Sequence, residues 1–185
     1  VAIIVWIESY ALISKIFKKN SIEHRFKRYL YKSISLLYIS LLVYFILSIA
    51  SFYPELRIYL LYSVIVVVFS DIGGLIFGKI FKGKKLTKIS PNKTISGSIG
   101  SFIFSLTLVP FFYSKFTEHS LLSLTVITIA ISLVTQLGDL FVSYLKRKAK
   151  VKDTSDLLPG HGGFLDRVDG LIFAAPLGIL LLNFI

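Results

Sequence analysis

The sequence has 185 residues, of which 55% are hydrophobic and 17% are charged. Soluble globular domains have a smaller apolar share and lack long uncharged runs, so this composition indicates an integral membrane protein. The absence of cysteine excludes disulfides and thiolate metal sites. A net charge of +11 would suit a nucleic-acid partner, but the positions of the cations argue against one.

The apolar runs predict an all-α, polytopic fold with about six transmembrane helices. A bilayer core of roughly 30 Å requires about 20 predominantly apolar residues in a spanning helix. Four runs meet or approach this length, a shorter run closes the chain, and an opening run with Glu8 in its middle is interpreted as a truncated span. In chain order the runs cover residues 1–17, 33–53, 58–77, 95–112, 121–145 and 168–185.

The cations lie in alternate connections between these runs. Only Arg57 and Lys115 fall outside the segments at about 15–32, 79–94 and 146–167. Cytoplasmic loops of membrane proteins are enriched in Lys and Arg, so these three segments are predicted to be cytoplasmic. This pattern requires no nucleic acid as a partner. Residues 1–185 are interpreted as one transmembrane domain.

Four acids lie within or at the ends of predicted spans, where an ionisable group is costly and is a functional candidate. They are Asp71, Asp139, Asp166 and Asp169. If the segment LDRVDG begins a helix, Asp166 and Asp169 share one face near its positive end. A structural alternative is a helix cap at Asp166, or ion pairs with Arg147 and Arg167. Such carboxylates also suit a hard divalent cation, which takes oxygen ligands from protein and phosphate.

Two polar segments are candidates for phosphate contact. The sequence PGHGG at 159–163 cannot continue a helix, and its glycines leave backbone N–H groups accessible. His161 within it remains open between a general base, a phosphate donor and a turn residue. In KLTKISPNKTISG, at 85–97, Lys93 and Thr94 precede a predicted helix, whose N-terminus favours anions.

These segments resemble a known family. The stretch SYLKRKAKVKDTSDLLPGHGGFLDRVD, at 143–169, resembles the signature of the phosphatidate cytidylyltransferases, also called CDP-diglyceride synthases. Its fixed positions are Ser143, Lys146, Arg147, Lys152, Asp153, His161, Gly162, Gly163, Asp166, Arg167 and Asp169. The segment at 70–97 resembles the family's other cytoplasmic segment at Asp71, Gly78, Ser90, Pro91, Lys93, Thr94 and Gly97. Ser96 departs from the pattern, because the family commonly has an acid there.

The resemblance implies that CTP reacts with phosphatidic acid to give CDP-diacylglycerol and pyrophosphate. It implies Mg²⁺ held by Asp139, Asp166 and Asp169, with Lys146 and Arg147 as further catalytic residues. The implied substrate contacts are Asp71, Ser90, Lys93, Thr94, Lys152, Asp153, His161, Gly162, Gly163 and Arg167. Family members are also associated with a monovalent cation such as K⁺ and are often homodimers. The expected location is a bacterial inner (plasma) membrane, with the catalytic loops in the cytoplasm.

Two other functions are consistent with parts of the sequence. A CTP-dependent polyprenol or dolichol kinase would share the multi-span body and the Mg²⁺–nucleotide site, but its acceptor attacks the γ-phosphorus. The complete signature argues against it. A secondary transporter would use intramembrane acids as coupling sites near the bilayer midplane. Here the acids lie toward the cytoplasmic ends of the predicted spans, beside phosphate-type loops.

Overall fold

The structure is a computed structural model that describes residues 1–18, 22–116, 118–157 and 162–184. Over these residues the chain forms α-helices, one short 3₁₀ turn and one isolated bridge between Lys85 and Thr94, so the all-α prediction is confirmed. The helices are α1 (Ala2–Ile16), α2 (Ile22–Phe52), α3 (Arg57–Phe81), α4 (Ile95–Leu106), α5 (Leu108–Tyr113), α6 (Leu121–Lys148) and α7 (Leu165–Phe184).

Four helical stretches in the described part of the chain are long and apolar enough to cross a membrane. They are Ile22–Phe52, Pro54–Phe81, Ile95–Tyr113 and Leu121–Lys148, and they correspond to the four longer predicted runs. The predicted count of about six is not confirmed, because neither α1 nor α7 is among them. Helix α1 has 15 residues, which gives a length of about 22 Å at 1.5 Å per residue.

Proline explains why the predicted run at 95–112 forms two helices. Pro110 has no N–H, and its ring clashes with the carbonyl of the residue four positions earlier in a continuous helix. That residue is Leu106, where α4 ends, and α5 begins two residues later with Pro110 in its first turn. The two helices still form one apolar stretch, Ile95–Tyr113.

A second proline creates a link between α2 and α7. Pro176 lies inside α7, so the carbonyl of Ile172 lacks its usual intrahelical donor. The Tyr38 hydroxyl on α2 donates to this oxygen at 2.9 Å. The otherwise unsatisfied carbonyl therefore becomes a tertiary contact.

Glycines allow close approach at the two helix crossings that position the polar residues. A Cβ atom at Gly73 of α3 would lie 2.5 Å from the Gly100 carbonyl oxygen of α4. A Cβ atom at Gly170 of α7 would lie 3.0 Å from the Thr135 carbonyl oxygen of α6. Each crossing therefore requires a residue without a side chain, and each lies close to an acid that the sequence singled out.

We predict that Gly73→Ala destabilises the protein more than Gly74→Ala does. The added methyl group at Gly73 meets helix backbone, which cannot move away, and overpacking of this kind costs about 1–3 kcal/mol. At Gly74 the close neighbour is the Ser101 hydroxyl oxygen, which can rotate. Thermal unfolding in detergent measures both variants, and equal unfolding temperatures would contradict the packing argument.

Candidate active site

A cavity of about 390 Å³ lies between α3, α4, α6, α7 and the connection that precedes α4. Many predicted site residues line it, and all but Asp139 come from the two segments that carry the family resemblance. These residues are Asp71, Ser90, Lys93, Thr94, Asp139, Asp166, Arg167 and Asp169. The segments at 70–97 and 143–169 therefore both contribute residues to one cavity.

Asp139 and Asp169 face each other across the crossing of α6 and α7. Both carboxyl groups line the cavity, and they lie close enough to interact electrostatically. Lys93 forms an ion pair with Asp139, and the Ser143 hydroxyl lies 3.4 Å from the same carboxylate. Asp169 also accepts a hydrogen bond of 2.9 Å from the backbone N–H of Gly170. Two adjacent carboxylates repel each other, and a cation between them would relieve that repulsion.

Asp166 has a different environment, because protein donors occupy both of its oxygens. The Lys146 ammonium binds Oδ1 at 2.8 Å. Oδ2 accepts from the backbone N–H groups of Thr154 and Gly163 at 2.9 and 3.0 Å, and from the Thr154 hydroxyl at 3.0 Å. Burial raises the pKa of Asp166, but the hydrogen bonds from Lys146, Thr154 and Gly163 outweigh it and hold the pKa below its usual value.

The acidic residues fit a divalent cation in part. Asp139 and Asp169 offer the one or two carboxylates that Mg²⁺ uses when substrate phosphates and water complete its shell. Within the described residues, no three acidic, histidine or cysteine side chains form a group that could hold a metal ion. Asp166, the third predicted ligand, is held by its own donors, so the predicted set of three ligands remains a prediction.

The connection before α4 brings Lys93 to the cavity. Leu86 N–H donates to the Lys93 carbonyl at 2.8 Å, and Ile95 N–H donates to the Lys84 carbonyl at 2.9 Å. Thr94 then caps α4, because its hydroxyl oxygen accepts from Gly97 N–H at 3.0 Å. These bonds fix the lysine beside the positive end of a helix, as the sequence predicted.

The remaining predicted residues lie in or beside the loop that joins α6 to α7. Lys146 pairs with Asp166, whereas Arg147 is exposed and reaches the carbonyls of Ile89 and Val151 at 3.4 and 3.5 Å. Lys152 and Asp153 are exposed. Gly162 has a φ of +80°, which favours glycine, and Gly163 contributes its N–H to Asp166. His161 lies outside the described residues.

Comparisons with known proteins identify the family of this chain. The sequence model of the Cytidylyltransferase family matches residues 1–185. The chain belongs to this family. The phosphatidate cytidylyltransferase of Staphylococcus haemolyticus is 46% identical over 127 residues, which are 67% of this chain and 48% of that protein. Those of Staphylococcus saprophyticus and Staphylococcus aureus are 45% and 44% identical, with the same coverage.

The chain spans about half the length of these relatives. The family resemblance stated from the two polar segments is confirmed by the family match. The four helices that can span a membrane and the staphylococcal relatives together identify a bacterial membrane protein.

Sequence reasoning missed two residues, one in the candidate site and one beside it. Gln136 lines the cavity and accepts from the Ser98 hydroxyl, while its buried Nε2 has no partner among the described residues. Its position three residues before Asp139, on the same face of α6, was a usable signal. Glu8 is buried against the loop between α6 and α7, and no local pattern indicated that contact.

We predict that Lys146→Ala lowers stability far more than Lys148→Ala does. Both residues are on α6, but removal of Lys146 leaves the carboxylate of Asp166 without its cation. Breaking a largely buried pair costs about 3 kcal/mol. Lys148 is exposed, so its removal should cost less than about 0.5 kcal/mol. Thermal unfolding in detergent compares the two, and a Lys146→Ala variant as stable as Lys148→Ala would contradict the role assigned to this pair.

Proposed function

We propose that the chain forms the catalytic part of a phosphatidate cytidylyltransferase. It transfers the cytidylyl group of CTP to phosphatidic acid, and the products are CDP-diacylglycerol and pyrophosphate. The observation that carries the proposal is the cavity where Asp139, Asp169 and Lys93 meet, with lining residues from both signature segments. The family match and the names of the staphylococcal relatives support it.

The reaction joins two anions, which determines what the residues must do. A phosphate oxygen of phosphatidic acid attacks the α-phosphorus of CTP, a new P–O bond forms, and the bond to the β-phosphate breaks. Pyrophosphate leaves with the electron pair of that bond. Catalysis therefore requires charge neutralisation and in-line positioning, and it does not require a covalent intermediate on the protein.

The cations of the cavity are suited to the phosphates. Arg167 has a planar guanidinium, which can bind two phosphate oxygens at once. Lys93 offers a compact charge next to the N-terminus of α4, where the helix dipole also favours anions. The side chain of Gln136 adds an amide at the same wall of the cavity.

The acids divide into two roles. Asp139 and Asp169 would hold the cation, and Mg²⁺ bound there supplies positive charge for the attacking and leaving phosphates. Asp71 lies on the facing helix, where it can orient water or substrate hydroxyls. Asp166, with Lys146, holds the loop between α6 and α7 in place. Among the described residues, no separate site can be assigned to a monovalent cation.

The lipid substrate accounts for a site built from membrane helices. Phosphatidic acid keeps its acyl chains in the bilayer, while CTP arrives from water. The cavity is flanked by an exposed cationic connection containing Lys82, Lys84, Lys85 and Lys88. We therefore propose that this side faces the cytoplasm, with the chain in the bacterial plasma membrane. A homodimer is the assembly that the family resemblance implies.

We predict that the purified chain in mixed micelles moves label from α-phosphate-labelled CTP into phosphatidic acid. Asp169→Asn should lower the rate by about 100-fold or more, because it removes a charge that the transition state requires. Asp156→Asn is the matched control, since it makes the same change at an exposed acid, and its rate should remain that of the wild type. Chelation of Mg²⁺ with EDTA should abolish transfer.

The result is read from the product and the position of the label. In micelles that also contain a polyprenol, lipid labelled only from γ-labelled CTP would establish the lipid kinase instead. A folded chain that labels lipid from neither nucleotide would contradict both reactions. Equal rates for Asp169→Asn and Asp156→Asn would show that Asp169 and its cavity take no part in the reaction.

We further predict that Lys93→Met raises the KM for CTP by about tenfold, because it removes one charge-assisted contact to phosphate. Lys88→Met is the control, since Lys88 is exposed in the same connection and does not line the cavity. Initial rates at several CTP concentrations give KM and kcat. An unchanged KM for Lys93→Met would remove this lysine from nucleotide binding.

A further inference from the structure

Glu8 is a buried acid that lies outside the cavity. It sits in the middle of α1, and only 4% of its surface is exposed. Its Oε1 accepts from the Ser155 hydroxyl at 2.6 Å and from Phe164 N–H at 2.9 Å. Its Oε2 accepts from Leu165 N–H at 2.6 Å and from the Thr154 hydroxyl at 3.2 Å. Four donor groups thus surround one carboxylate, and the single hydroxyl hydrogen of Thr154 is shared between Glu8 and Asp166.

These donors match the requirements of a buried charge. A carboxylate removed from water is costly unless donors replace its hydration. The N–H groups of Phe164 and Leu165 lie at the start of α7, where the helix leaves such groups without internal partners and carries positive dipole charge. Glu8 therefore caps α7 from another helix, and this contact fastens α1 to the loop.

The same contacts lead to Asp166. The Thr154 hydroxyl lies between Oε2 of Glu8 and Oδ2 of Asp166, at 3.2 and 3.0 Å. Thr154 N–H and Gly163 N–H both donate to Asp166, while Glu8 binds the neighbouring residues Ser155 and Phe164. The two carboxylates thus hold the same two ends of the loop.

We propose that Glu8 is a positioning residue for this site, a role that rests on the proposed cytidylyl transfer. Its carboxylate holds Thr154 and Ser155 against the start of α7. It thereby fixes the orientation of Asp166 and of the helical turn that presents Asp169 to the cavity. Glu8 touches no substrate, so its effect on the reaction passes through these residues.

Glutamine cannot replace this glutamate, although the two side chains have the same shape. Each carboxylate oxygen of Glu8 accepts one backbone N–H, from Phe164 and Leu165 respectively. An amide has one accepting oxygen, so its NH₂ group would face one of these donors. Ser9→Ala is a matched control on α1, because the Ser9 hydroxyl donates only to the Val5 carbonyl of its own helix at 2.8 Å.

Backbone hydrogen exchange in detergent tests the proposal without any substrate. In Glu8→Gln, the N–H groups of Thr154 and Gly163 should exchange about tenfold faster than in wild type, although Glu8 binds neither of them. Exchange in α3 and α4 should remain unchanged, and Ser9→Ala should match wild type throughout. Unchanged exchange at Thr154 and Gly163 would overturn the proposal.

Kinetics supply the second measurement. Glu8→Gln should lower kcat by about 10- to 100-fold through misplacement of the acids, with the KM for CTP near that of wild type. The effects of Glu8→Gln and Thr154→Val should not add in the double variant, because both act on Asp166. Full additivity, or a kcat equal to that of Ser9→Ala, would contradict the role of Glu8. A wild-type chain without transfer contradicts the proposed function, and the exchange experiment still decides whether Glu8 positions Asp166.

Discussion

The cost of burying carboxylates among membrane helices is the constraint on which this site depends. Glu8 and Asp166 meet it with hydrogen-bond donors from the chain itself, and each carboxylate oxygen has at least one. Asp139 and Asp169 have fewer donors and lie against each other, with Lys93 as the nearby cation. The first two acids are therefore satisfied by the fold. The second pair is the one to which the proposed function assigns a cation.

Close helix packing places that second pair. Gly138 precedes Asp139 on α6, and Gly170 follows Asp169 on α7. A Cβ atom at Gly138 would lie 3.0 Å from the Asp169 carbonyl oxygen, so the two helices approach through their backbones at this level. The carboxylates beside the glycines are consequently brought together despite their repulsion. The packing energy of the crossing and the chemistry of the cavity are linked through adjacent residues.

The sequence predicted these features unevenly, for physical reasons. The long helices could be predicted because about 20 apolar residues suffice to indicate a spanning helix. The break that Pro110 causes was missed. The acids of the cavity could be predicted because ionisable residues are rare in such helices. The partner of Asp166 was harder to predict from the sequence. The structural alternative named ion pairs with Arg147 and Arg167, and the structure adds Lys146, which lies on α6 and binds Asp166.

The role of Glu8 could not be read from the sequence at all. Its backbone donors Phe164 and Leu165 lie 156 and 157 residues away, and backbone N–H groups leave no mark on residue type. For the same reason, the sequence could not show that Asp166 is held by donors of its own loop while Asp139 and Asp169 are not. All three appear as acids at the ends of predicted spans, and the loop amides that satisfy Asp166 become donors only after the chain has folded.

The charges around the cavity bear on the entry of the nucleotide that the proposed function requires. The acids that line the cavity are Asp71, Asp139, Asp166 and Asp169, against Lys93 and Arg167. In formal charge the lining is negative, so its side chains alone oppose a triphosphate. The exposed lysines between α3 and α4 act over a longer range and attract anions to this side of the protein. Attraction to the mouth and repulsion at the acids are compatible if positive charge enters with the nucleotide. A divalent cation held by Asp139 and Asp169 meets that requirement.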